Sequence, residues 1–221
     1  MPMNLARRFF TQRKAARLLA KARQLFQEGA LEQAEQACVA CTEVSSNLAD
    51  IHYLRALIAL AQGRDELAVR HLETAIAERD SDSSFHSKLA EVLRKLGRHE
   101  RAAVHFARTL EQLAPSDPTR PRTMLRLAAA LQDCNRPAEA EQWYRRILEA
   151  DPGNRDALLC LAVAREDSNV EESRGLMDRY IVLDPGGAAR LRRALMLPAI
   201  VQSIEEIDSI RARLRRALIA A

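Results

Sequence analysis

Three stretches decide the fold: EGALEQAE at 28–35, QGRDELAV at 62–69 and LGRHERAA at 96–103. Their glycines, Gly29, Gly63 and Gly97, stand 34 residues apart. Each closes an apolar pattern of helical period and precedes a charged helix start. Five residues after each glycine comes an alanine (Ala34, Ala68, Ala102), and seven before it another (Ala22, Ala56, Ala90). A fourth unit comes after an insertion of four residues, with Asn135 in the glycine slot between Ala128 and Ala140. Asparagine is the next-best residue after glycine for a left-handed turn. A weaker fifth unit has Ala162, then Asn169 in the turn slot, and Ser173 in the second alanine slot after a one-residue deletion. Four residues beyond the second alanine, the first four units hold Cys38, Leu72, Phe106 and Tyr144.

A unit of this length holds two helices of about 14 residues and two short turns. The alanines mark where the paired helices approach most closely, and the bulky slot fills space against the next unit. One hairpin cannot bury its apolar face alone, so the units must stack. Composition agrees. Ala, Leu and Arg make up 98 of the 221 residues, whereas Val, Ile and Thr total 25, so helix is favoured throughout and a sheet is not. Lys and Arg number 34 against 30 Asp and Glu, a balance that requires no nucleic-acid partner. No run of about 18 uncharged apolar residues suggests a membrane span, and the basic N-terminus lacks the apolar run of a signal peptide. Four cysteines do not make a disulfide framework, so the expected location is the cytoplasm.

These slots resemble the tetratricopeptide repeat family. The resemblance spans about residues 15–187, and Asp151-Pro152 and Asp184-Pro185 close the fourth and fifth units as that pattern asks. It implies an all-α fold: a right-handed α-solenoid of about five hairpins (15–48, 49–82, 83–116, 121–154, 155–187). A basic extension at 1–14 precedes the array, and capping or linker helices at 188–221 come after it. The connector 115–121 carries three prolines and is expected to end one unit firmly. After Gly187, a helix over 188–197, an interruption at Pro198 and a second helix from Ser203, with Glu206 at capping-box spacing, are expected. The stretch from Arg193 to Arg211 also resembles the post-repeat linker of bacterial O-linked N-acetylglucosamine transferase and SPINDLY-like glycosyltransferases. That resemblance implies a substrate-recruiting repeat module whose catalytic region would lie beyond Ala221.

No catalytic constellation emerges, and no cofactor is expected. Cys38-Val-Ala-Cys41 lacks the second ligand pair of a zinc site and the βαβ setting of a redox motif, so it reads as packing. His52 and His86 share one repeat slot and read as structural, and no metal ligand set appears. In the family, the first helix of each unit lines a concave groove. Here its lining slots include Arg23, Tyr53, Leu57, Leu60, Lys88, Arg94, Lys95, Arg122 and Arg126. The resemblance therefore implies a non-enzymatic scaffold, its partner a protein or peptide with an apolar anchor and an acidic flank. The family's asparagine ladder at the sixth slot is replaced by Ala20, Leu54, Lys88, Arg126 and Cys160. Residues 1–27 carry seven cations and no acid, 188–221 seven cations and three acids, and 28–187 is net negative by seven. Such basic ends could support self-association or, as a third and weaker reading through residues 5–23, contact with an anionic membrane.

Overall fold

The computed structural model describes residues 3–44, 48–166, 168–196 and 204–220. Among them are twelve helices and no strand: α1 (Met3–Gln27), α2 (Leu31–Thr42), α3 (Leu48–Ala61), α4 (Asp65–Glu78), α5 (Ser83–Lys95), α6 (His99–Gln112), α7 (Arg120–Asp133), α8 (Pro137–Ala150), α9 (Arg155–Arg165), α10 (Val170–Leu183), α11 (Gly187–Leu195) and α12 (Ile204–Ala220). Consecutive helices form antiparallel hairpins, so the chain is an all-α protein of the solenoid kind. It divides into two compact units, residues 1–123 and 124–221.

The turns are built as the spacing requires. Gly29, Gly63 and Gly97 have φ of 79°, 72° and 73°, and Asn135 has φ of 59°. At each turn two amides double back onto the preceding helix. Gly63 donates to the Leu60 carbonyl at 3.0 Å and Arg64 to that of Ala59 at 2.8 Å. Asn135 and Arg136 repeat the pattern on Gln132 and Leu131, both at 2.9 Å. This pair of bonds is the Schellman C-cap, which satisfies the last carbonyls only when one residue adopts the left-handed region. The fifth unit differs. Asn169 has φ of −153° and caps α10, its side chain accepting from the Glu172 amide at 3.1 Å. The one-residue deletion thus turns a C-cap asparagine into an N-cap.

The small slots are sealed. Ala22, Ala34, Ala56, Ala68, Ala90, Ala102, Ala128, Ala140 and Ala162 are all fully buried. Ser173 is equally buried, and its hydroxyl donates to the Ala162 carbonyl at 2.6 Å. The two small slots of a hairpin therefore touch, and the extra oxygen is tolerated because the facing backbone accepts its proton. Cys38, Leu72, Phe106 and Tyr144 fill their slots with no exposure. The Tyr144 hydroxyl, held in place by its bond to Gln132 at 2.7 Å, is pushed above its usual pKa by burial.

In the first unit, α1 runs without a break through the expected boundary at 14/15. Its partner α2 is half as long, and the Cys41 thiol in the last turn of α2 donates to the Ala15 carbonyl at 3.3 Å. The α1 residues N-terminal to Ala15 thus lie past the point where α2 ends. α7 starts at Arg120 with Pro121 in its first turn, where the missing amide costs nothing. Arg120 caps α6 by donating to the carbonyls of Leu110 and Leu113 at 2.8 and 3.0 Å. In the second unit, α11 and α12 pack together and α11 packs on α10. Arg174 clamps the Met196 carbonyl at 3.1 and 2.6 Å, and Arg193 holds Asp178 through two bonds at 2.8 and 3.0 Å. The expected interruption at Pro198 and the Ser203 cap lie outside the described residues.

Two substitutions test this frame. A Cβ at Gly63 meets no atom within 4 Å. Gly63→Ala therefore isolates the left-handed backbone term and should lower stability by about 1–2 kcal/mol in urea denaturation, while Asn135→Gly should raise it slightly. Ala68→Leu should cost about 1–3 kcal/mol or more by forcing α3 and α4 apart.

Candidate functional site

Two helix faces meet in the first unit. On α1, Arg23, Phe26 and Gln27 fall at i, i+3 and i+4; on α3, Asp50, Tyr53, Leu54 and Leu57 fall at i, i+3, i+4 and i+7. These seven residues line one cleft of about 270 Å³. Leu54 is its buried floor, Phe26, Tyr53 and Leu57 are half-buried walls, and Arg23 and Gln27 stand exposed at one rim. Asp50 forms the other rim and is held by an ion pair with Arg79. The wall continues onto α5, where the Phe85 ring packs on Tyr53 with centroids 4.9 Å apart. Arg79 lies over the Phe85 ring at 5.0 Å and pairs with Asp82 at 3.3 Å. Burial raises the Tyr53 pKa, so its hydroxyl stays protonated as a donor at neutral pH.

The expected groove residues divide. Arg23, Tyr53 and Leu57 share the cleft. Leu60 is half-buried one turn further along α3. Lys88 is engaged by Glu91 of its own helix at 2.6 Å, and Lys95 by Asp65 of α4 at 2.6 Å. Arg94 is exposed at the end of α5 and Arg122 in the first turns of α7; neither lines the cleft. Arg126 belongs to the second unit, where it is half-buried. Phe26, Gln27, Asp50, Leu54 and Phe85 complete the site beyond the groove residues expected. Phe26 and Gln27 occupy groove slots of α1, so the repeat register alone could have named them.

The histidines form an unexpected pattern. His52 on α3 faces His71 on α4 with Nδ1 atoms 3.3 Å apart, and His86 on α5 faces His105 on α6 at 3.0 Å. The sequence signal was present, because His71 and His105 are also 34 residues apart. Ring centroids are 5.5 and 5.3 Å apart. In each pair the centroid separation exceeds the nitrogen gap by about two ring radii. Both nitrogens therefore lie near the line between the rings, as an N–H···N bond requires. His86 Nε2 lies 3.1 Å from both the backbone and side-chain oxygens of Asp80. Two acceptors there call for a proton on Nε2, and in neutral His86 that leaves Nδ1 as the acceptor and His105 as the donor. Burial first, then Arg55 beside His71 and the neighbouring ring of His86 beside His105, push both groups down to about 4.

Cys38 and Cys41 are fully buried, and burial pushes the Cys38 thiol up to about 12, the opposite of a reactive cysteine. No group of three or more His, Cys, Asp or Glu that could hold a metal occurs among the described residues. Nor, among them, is any helix long and apolar enough to cross a membrane.

Two family models described as tetratricopeptide repeat match residues 82–152 and 125–188. The hairpins within residues 82–188 are therefore similar to tetratricopeptide repeats. A model described as bacterial transcriptional activator domain matches residues 6–114, which hold nearly all of α1 and all of α2–α6. Solved structures with the same fold include PilF of Pseudomonas aeruginosa, at TM-score 0.65 and 15% identity, covering 96% of this chain and 91% of that one. YrrB, a repeat protein described as having an unusual peptide-binding site, aligns at TM-score 0.68 and 20% identity over 78% of this chain and 87% of its own. The C-terminal part of a repeat protein from Cytophaga hutchinsonii aligns at 0.72 and 15%, over 92% and 80%. No curated protein matches the sequence.

The histidine pairs predict a pH dependence. His71 (beside Arg55, Arg70 and Glu35) and His105 (beside Arg101, Glu73 and Asp80) resist protonation in the folded state relative to 6.5. Stability should therefore be level above pH 6.5 and fall as the pH drops toward about 4, because the unfolded chain takes up the protons first. His71→Gln/His105→Gln should flatten that slope in urea titrations run across the interval.

Proposed function

We propose that this chain is a non-enzymatic interaction scaffold whose repeats bind a partner peptide or protein at the α1/α3 cleft. The observation that carries the reading is the lining of that cleft: a Leu54 floor, walls of Phe26, Tyr53 and Leu57, and the exposed Arg23 at the rim. Small-molecule sites bury most of their ligand. This cleft is narrow and open, and better suited to one apolar side chain of a longer partner. Arg23 has no carboxylate partner among the described residues, whereas Lys88 and Lys95 are already neutralised. An acidic residue flanking the apolar anchor therefore has its natural contact at Arg23. The peptide-binding site that gives YrrB its description supports this class of partner. A glycosyltransferase-recruiting role rests on the 193–211 resemblance alone, and none of the similar structures named above lends it support.

Display of random peptides on the wild-type protein should return sequences with an apolar residue next to Asp or Glu. Leu57→Ala should weaken a selected peptide by roughly tenfold to a hundredfold. Arg23→Glu should remove the acidic preference while leaving the apolar anchor. Peptides bound equally by wild type and both variants would place the binding site elsewhere.

A further inference from the structure

Six cations of the inner hairpins of the first unit are held in ion pairs. Arg55, Arg79, Lys88, Lys95, Arg98 and Arg101 each meet a carboxylate. α1 is different. Arg13, Lys14, Arg17 and Lys21 are all exposed, and none has an ion pair among the described residues. They line a shallow cleft of about 310 Å³ with Leu18 as its one apolar member. Arg13, Arg17 and Lys21 succeed each other at four-residue steps, so they form a straight row along one side of the helix with Lys14 beside it.

The repeat register shows which way this row faces. One and two periods later, the Arg17 slot holds Ile51 and Phe85, which are buried. Phe85 clusters with Ala49 and Ala75 of the preceding hairpin. The slot that inner hairpins press against a preceding hairpin is, on α1, an exposed cationic face. Its opposite side, through Ala15, Ala22, Leu19 and Phe26, is committed to the core. The face can therefore lie on a surface but cannot sink its own apolar side into one. No acid occurs in the first 27 residues.

We propose that the Arg13/Lys14/Arg17/Lys21 face of α1 docks on an anionic lipid surface. Two observations favour lipid over other polyanions. Among the described residues only α1 lines the cleft, so there is no second wall to grip an extended acidic peptide, whereas a sheet of headgroups needs none. The same helix also continues toward its N-terminus, past the end of α2, as Arg7-Arg8-Phe9-Phe10. Cations beside aromatics are the composition that a headgroup boundary accepts. The docking face is separate from the α1/α3 cleft, so either proposal can fail alone.

Flotation with phosphatidylcholine vesicles, with and without phosphatidylserine, tests it on the full chain. The wild type should float only with phosphatidylserine, and less as salt rises. R13Q/K14Q/R17Q/K21Q should lose roughly a hundredfold to a thousandfold in apparent affinity. R13K/R17K, which keeps the charge, and Leu57→Ala, which alters the other site, should float like wild type. Thermal melts establish that each variant is folded, and R17Q/K21Q carries the test if the quadruple variant is not. Equal flotation of wild type and the glutamine variants overturns the proposal. So does failure of the wild type to float at low salt, or tighter binding to a single-stranded oligonucleotide than to the phosphatidylserine vesicles.

Discussion

The backbone of each of the first four hairpins passes through one residue at positive φ, and the register of the second helix depends on it. The two amide bonds of the Schellman cap fix where one helix ends and the next begins. Five residues later comes an alanine that must face the alanine seven residues before the turn. One residue more in the turn would rotate the second helix by about 100° and carry that alanine off the contact. The groove face is set by the same phase. Arg23, Phe26 and Gln27 can meet Asp50, Tyr53, Leu54 and Leu57 only because Gly29 puts α3 one period after α1.

Much of the fold was legible from residue types whose environment leaves little choice. A glycine or asparagine at positive φ and an alanine under zero exposure are forced by backbone and packing, and the sequence showed them as a repeat. The bulky slots were readable for the same reason. Side-chain partners decided the features that escaped. Asn169 has the identity expected of a turn, but the missing residue makes it an N-cap. Lys88 and Lys95 stand at groove positions, yet Glu91 and Asp65 draw them aside. A charge pattern read slot by slot does not reveal that a cation is already paired, because its partner can lie one turn or thirty residues away. The aromatic contact of Tyr53 with Phe85 crosses a hairpin boundary and needed the stacking to be known first.

The two functional surfaces differ in the demands the fold makes of them. The α1/α3 cleft arises wherever two first helices lie side by side, and its chemistry is set by residues that the stacking leaves free to vary. The outer face of α1 includes the Arg17 slot, which the next two hairpins fill with the buried Ile51 and Phe85.

The histidine bridges sit on equal slots, yet they are not equivalent. In the second, Asp80 dictates which nitrogen of His86 bears hydrogen, and so dictates that His105 supplies the proton between the rings. The first bridge has no such anchor among the described residues, so no neighbouring acceptor sets its direction of donation. Loss of the Asp80 carboxylate would leave His86 a single backbone acceptor for its outer nitrogen. That carbonyl alone still calls for a proton on Nε2, so the direction of the bond from His105 would be kept.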